Sequence, residues 1–150
     1  MANAQAICTS YKTEILNGIH ALATSVVRAS TTADSFKAAL YLTTATLGAA
    51  TTAYSVTGEV SGTNYTAGGA AFTWVAPSST GTTAFSTASA NIAWTTVTLS
   101  TAFDAVLLYN STQANKAVAV YTFGAQTVTA GNFTLTMPTN DATNGLLRIA

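Results

Sequence analysis

The side chains of this 150-residue chain that could do acid–base, nucleophilic or metal chemistry are one histidine, one cysteine, three aspartates and two glutamates, scattered from end to end. Catalysis needs such groups to converge. His20 follows Ile19 at the flank of an apolar stripe and has no sequence-local partner, so packing or a solvated edge is its expected role. Glu59, Asp104 and Asp141 could form the carboxylate pair of a glycan hydrolase if the fold brought them together. Their settings point elsewhere: Glu59 adjoins Gly58, Asp104 opens a strand, and Asp141 sits in "PTNDATNG", all typical of turns and strand ends. Cys8 has no second cysteine to pair with and cannot alone build a zinc site, so it is expected as a small buried hydrophobe. No catalytic residue, metal site or cofactor is expected.

The glycine-rich stretch "GEVSGTNYTAGGAAFTW" (58–74) invites two motif readings and fits neither. A nucleophile elbow needs Gly-x-Ser-x-Gly, but Ser61 is followed directly by Gly62. A phosphate loop needs a terminal Lys-Ser/Thr and a following helix, whereas "AAFTWVA" has the character of a strand. Gly58 and Gly62 are therefore expected as turn formers, Gly68 and Gly69 as a tight turn into the strand carrying Phe72 and Trp74, and Tyr65 as the loop's anchor. Tyr65, Trp74, Trp94 and Tyr109 could stack on sugars, but core or interface anchoring is the stronger expectation for these rings. Asn64, Asn110 and Asn132 each head an Asn-x-Ser/Thr triplet; residues 1–8 lack the features of a secretory signal, which gives these acceptors no route to glycosylation.

The elements that must position these residues follow from periodicity. Tyr11, Ile15, Leu16, Ile19 and Leu22 fall near helical spacing, with Thr9 or Ser10 as N-cap, Gly18 inside the helix, and Val26 and Val27 extending its contact. Beyond residue 35, β-prone runs at 36–42, 70–76, 91–99, 104–109, 116–123, 132–137 and 146–149 alternate with turn residues, the pattern of an antiparallel all-β domain. Ile92, Trp94, Val97 and Leu99 cannot share a face without a bulge near Thr95 and Thr96. Phe133, Leu135 and Met137 alternate with Asn132, Thr134 and Thr136, so that strand has one wet face. The Thr/Ala/Ser/Gly-rich segments 43–57 and 77–90 are expected as long loops or weak edge strands that serve as contact arms. The expected architecture is mainly β, an antiparallel β-sandwich of jelly-roll or Ig-like type with one N-terminal amphipathic helix. It is one domain, with helix and linker over 1–34 and the sandwich over 35–150.

Composition constrains the partners. Only 7% of residues are charged and the formal net charge is zero, so there is no electrostatic footprint for phosphates and nucleic acid is a poor partner. No run approaches the length of a membrane span. A neutral surface of Thr, Ser, Asn and Ala is poorly defended against association, which predicts homo-oligomers or packing against other subunits.

The blocks "TSYKTEILNGIHAL", "FKAALY", "TTAYSVTGEVSGTNYTAGG", "LLYNSTQANKAVAVYTFG" and "GNFTLTMPTNDATNGLLRIA" together resemble a family of short, mostly uncharacterised proteins of tailed bacteriophages. The resemblance spans nearly the whole chain and carries no catalytic residues. It implies a virion structural protein made in the bacterial host cytoplasm: a head decoration or cement protein bridging major capsid protein subunits. The alternatives are a tail, baseplate or fibre-attachment component, also bound to virion proteins, and a glycan-binding host-attachment module.

Overall fold

The computed structural model describes residues 3–16, 18–22 and 32–150; Val26 and Val27 lie outside them. In chain order the elements are β1 (Ala6–Ile7), α1 (Thr9–Leu16), β2 (Phe36–Leu42), β3 (Ala70–Phe72), β4 (Ser78–Thr80), β5 (Thr83–Ser86), β6 (Ile92–Asn110), β7 (Lys116–Leu135) and β8 (Leu147–Ile149). The strands form two antiparallel sheets, one ordered β1-β7-β6-β2-β3 and a smaller one ordered β4-β5-β8. The chain is thus mainly β, with one short N-terminal helix, as the alternation of β-prone runs and turn residues predicts.

The spine is the β6–β7 hairpin. Where four strands were expected, at 91–99, 104–109, 116–123 and 132–137, the chain has two long ones. The Ser, Thr and Gly residues that look like separators lie inside the ladder, whose register shifts at several points between Trp94 and Tyr109 absorb them. The expected bulge is present: Trp94 faces Phe133 while Val97 faces Gly131, and Thr96 between them adopts φ +52°. As a result Ile92, Trp94, Val97 and Leu99 are all buried. Further along, Ala105–Tyr109 is a continuous apolar run buried on both faces and flanked by β2 and β7, with the polar Asn110 buried at its end. Phe133, Leu135 and Met137 are half-buried and alternate with exposed Asn132, Thr134 and Thr136, although β7 itself ends at Leu135.

Other boundaries differ from expectation for local reasons. The run 70–76 stops as a strand at Phe72; Thr73–Val75 instead bonds to Thr87–Ser89, with a bridge from Trp74 to Ala88, outside both sheets. Segment 43–57 is irregular, while 77–90 holds the β4–β5 hairpin, turned at Gly81 with φ +59°. The helix is shorter than expected because Gly18 ends it. With φ +65°, Gly18 donates to the Ile15 carbonyl at 2.9 Å and Ile19 donates to Glu14 at 3.0 Å, the paired bonds of a Schellman stop. Ile19 and Leu22 therefore lie beyond the helix, and Thr9 and Ser10 are its first residues rather than a cap outside it.

Two kinds of glycine constraint hold the 58–69 loop. Gly58, Gly68 and Gly69 have φ of +81°, +90° and +73°. Gly62 opens a turn, its carbonyl accepting from the Tyr65 N–H at 3.3 Å, but the left-handed residue of that turn is Asn64 (φ +61°); at Gly62 the constraint is space, since a Cβ there would lie 2.0 Å from the Thr98 carbonyl oxygen. Gly69 carries both constraints, since its Cβ would lie 1.8 Å from the Ala38 oxygen of β2. Gly81→Ala, with nothing within 4 Å, should therefore cost about 1 kcal/mol in urea denaturation. Gly69→Ala should cost several times more, because β2 must move; equal losses would show that close approach is not a constraint.

Candidate functional site

The loop 58–69 closes around a buried carboxylate. Glu59, 8% exposed, bridges backbone-to-backbone to Tyr41 of β2. Its Oε2 accepts from the Tyr54 hydroxyl at 2.7 Å, and its Oε1 accepts from the Tyr65 hydroxyl and the Gly68 N–H, both at 2.8 Å. Tyr65 in turn accepts from the Leu40 N–H of β2 at 3.0 Å. Tyr109 of β6 donates to the Gly68 carbonyl at 2.8 Å and stacks on Tyr54, centroids 4.8 Å apart and planes 16° apart. Tyr41 donates to the Ser55 carbonyl. Of the residues singled out from sequence, Tyr65, Tyr109 and Gly68 thus meet around Glu59. Tyr54 joins them without having been singled out; only its spacing from Glu59 and Tyr65 hints at a shared partner.

The electrostatics match this closure. Burial pushes the Tyr65 and Tyr54 phenols well above the ordinary tyrosine value, and the neighbouring Glu59 charge adds to the shift. Tyr109 is pushed up to about 12, by burial first and then by Glu59. Glu59 accepts from two neutral hydroxyls, one of them outside the loop, and from a backbone N–H, so its role is that of a fastener.

A second cluster fixes the N-terminal segment. His20 does have a local partner: the left-handed turn at Gly18 carries it back over α1, and its Nε2 lies 2.7 Å from Glu14 Oε2. Glu14 Oε1 also accepts from Lys116 Nζ at 2.6 Å. On the other side of the ring, Asn110 Nδ2 lies 3.0 Å from His20 Nδ1 and donates to Asp34 Oδ2 at 2.8 Å; Asp34 also accepts from Gln113 and the Ala21 N–H. Burial pulls His20 below the ordinary histidine value despite its acidic neighbours. Burial acts to raise Glu14, but the hydrogen bonds from Lys116 and His20 hold it below the ordinary carboxylate value.

The remaining chemically capable groups are elsewhere. Asp104 accepts from Asn3 Nδ2 at 2.6 Å, and Asp141 accepts from the Thr143 and Asn144 N–H groups within its own turn. Glu59, Asp104 and Asp141 thus have separate sets of partners. Cys8 is buried, and burial with the nearby Glu14 charge pushes its thiol up to about 11, which disfavours the reactive thiolate. Trp74 packs edge-on against Phe36 and Phe72 at 6.0 and 5.2 Å, and Trp94 lies 5.8 Å from Phe133. Both indoles are more than nine-tenths buried, so they are core residues in the single chain and present no open face to a sugar. Among the described residues no group of three or more His, Cys, Asp and Glu could hold a metal ion, and no helix is long and apolar enough to cross a membrane.

Tyr65→Phe should cost about 1–3 kcal/mol in urea denaturation, because it strands the Leu40 N–H and removes a donor from Glu59. Raised phenol values mean that the folded state resists deprotonation. Stability is therefore full below the ordinary tyrosine value of about 10 and falls as pH rises past it. Denaturation midpoints across that range should fall less steeply for Tyr65→Phe than for the native chain; an unchanged slope would remove Tyr65 as a source.

No protein-family model matches the chain, and neither a curated protein nor a solved structure does.

Proposed function

We propose that the chain is a virion structural protein of a tailed bacteriophage, a decoration or cement protein that binds the outside of the head where capsid subunits meet. The observation that carries this reading is the disposition of charge. All five carboxylates, Glu14, Asp34, Glu59, Asp104 and Asp141, are engaged within the chain. Between Lys116 and Asp141 there is no charged residue. That uncharged stretch contains most of β7, of which Gly124–Thr127, Thr129 and Ala130 are exposed. Among the described residues, β7 pairs outward with β1 only at Ala119 and Val120, so its edge from Tyr121 onward is open.

An open, neutral edge is a liability in a free monomer and a joint in an assembly. Cementing by such a surface requires binding and no bond-making: hydroxyl-rich and apolar surface on adjacent subunits is buried under one protein, and separating the subunits then exposes it again. The resemblance to phage proteins supports the same setting. The glycan-binding alternative has less support, because Trp74 and Trp94, two of the rings that could serve it, are buried.

Mass spectrometry of purified particles separated into heads and tails should find the protein with heads. Heads lacking it should lose their DNA at lower temperature and regain resistance when purified protein is added. Recovery only with tails would transfer the protein to a tail role, and absence from particles would overturn the virion reading.

A further inference from the structure

We propose that His20 is a proton-operated latch: it docks α1 and residues 19–22 against the β6–β7 turn while neutral, and a proton at Nδ1 releases them. This rests on the hydrogen-bond capacity of its two partners, independently of any role in a particle. Glu14, held ionised by Lys116 at 2.6 Å, can only accept, so His20 Nε2 must carry the hydrogen across their 2.7 Å contact. Asn110 is fully buried and uses its whole capacity. Its Oδ1 accepts from the Thr112 and Gln113 N–H groups, both at 3.1 Å, and one Nδ2 hydrogen goes to Asp34. The other points at His20 Nδ1, which must therefore be a lone pair. Both contacts select the neutral Nε2–H tautomer.

A proton at Nδ1 would face the Asn110 amide hydrogens, donor against donor. Turning the amide over would relieve that contact but would sever Oδ1 from Thr112 and Gln113 and place it against the Asp34 carboxylate. The groups around the ring set the balance. Glu14 of α1 and Asp34, which precedes β2, favour the imidazolium; Lys116 of β7 opposes it; Tyr11 of α1 meets the ring edge-on at 4.7 Å; and Arg148 of β8 shares with His20 the wall of a cavity of about 630 Å³. Burial outweighs the acidic neighbours, so the docked state takes the proton less readily than the free chain. Docking is then full above the ordinary histidine value of about 6.5 and is lost as pH falls below it.

His20 is the chain's sole histidine, so its ring signals can be followed in the intact protein by nitrogen-detected NMR. The expected result is the Nε2–H tautomer at neutral pH and a titration midpoint below the ordinary value. Amides of Thr13–Ile15, which donate within the helix, should lose exchange protection over the same range, after correction for intrinsic rates. His20→Gln retains a donor and an acceptor but cannot take the proton, so its helix amides should stay protected in acid. An Nδ1–H tautomer, a midpoint at or above the ordinary value, or an equal acid response in His20→Gln would each overturn the latch. The tautomer and midpoint decide the matter in the native chain even where the variant folds poorly.

Discussion

A carboxylate removed from water must be met by donors, and this chain meets that requirement at Glu14 and Glu59, while the less buried Asp34, Asp104 and Asp141 are also hydrogen-bonded. Each hydrogen bond to a charged group contributes about 1.5–3 kcal/mol to stability, and an unmatched buried charge costs more than that. The carboxylates join segments that the sheets alone leave loose. Glu59 gathers Tyr54, Tyr65 and Gly68, closing the irregular loops onto β2. Glu14 and Asp34 tie the N-terminal segment to both ends of the β6–β7 turn. Asp104 holds Asn3, and Asp141 shapes its own turn.

These fasteners are needed because the regular structure is concentrated in one place. The β6–β7 hairpin and β2 supply most of the buried apolar residues, whereas β1, β3, β4 and β8 are two or three residues long. A strand that short contributes few ladder bonds and little burial. Long Thr/Ala-rich connections with few large side chains cannot hold their positions by hydrophobic contact, so directional polar contacts do so instead.

Much of the β-framework was legible because alternation is a local property. The bulge at Thr95–Thr96 could be placed from the parity of Trp94 and Val97 alone, and the wet face of Phe133–Met137 from simple alternation. Fusion of the runs into one hairpin was not legible, since Ser100, Thr101 and Gly124 look the same at a turn as inside a bulged ladder. The glycines of the 58–69 loop marked where the backbone is constrained but not what it surrounds. Glu59 lies only five and six residues from the phenols of Tyr54 and Tyr65, yet loop contacts have no period to betray them. His20 was hidden by reading Gly18 as a helix interior; as a helix stop, that glycine would have turned His20 back toward Glu14.

Internal fastening and outer neutrality are two sides of one allocation. With only ten charged residues in 150, the two carboxylates buried inside, Glu14 and Glu59, are two absent from the surface. A domain held together this way keeps irregular loops in defined positions without large hydrophobic anchors. The same choice leaves β7 without the charges that usually guard an exposed strand edge. A free monomer gains nothing from that combination, since the unguarded edge invites association. A protein whose working state is assembled gains on both counts: its loops hold a fixed shape for neighbours to meet, and its joining edge carries no charge to be desolvated when contact is made.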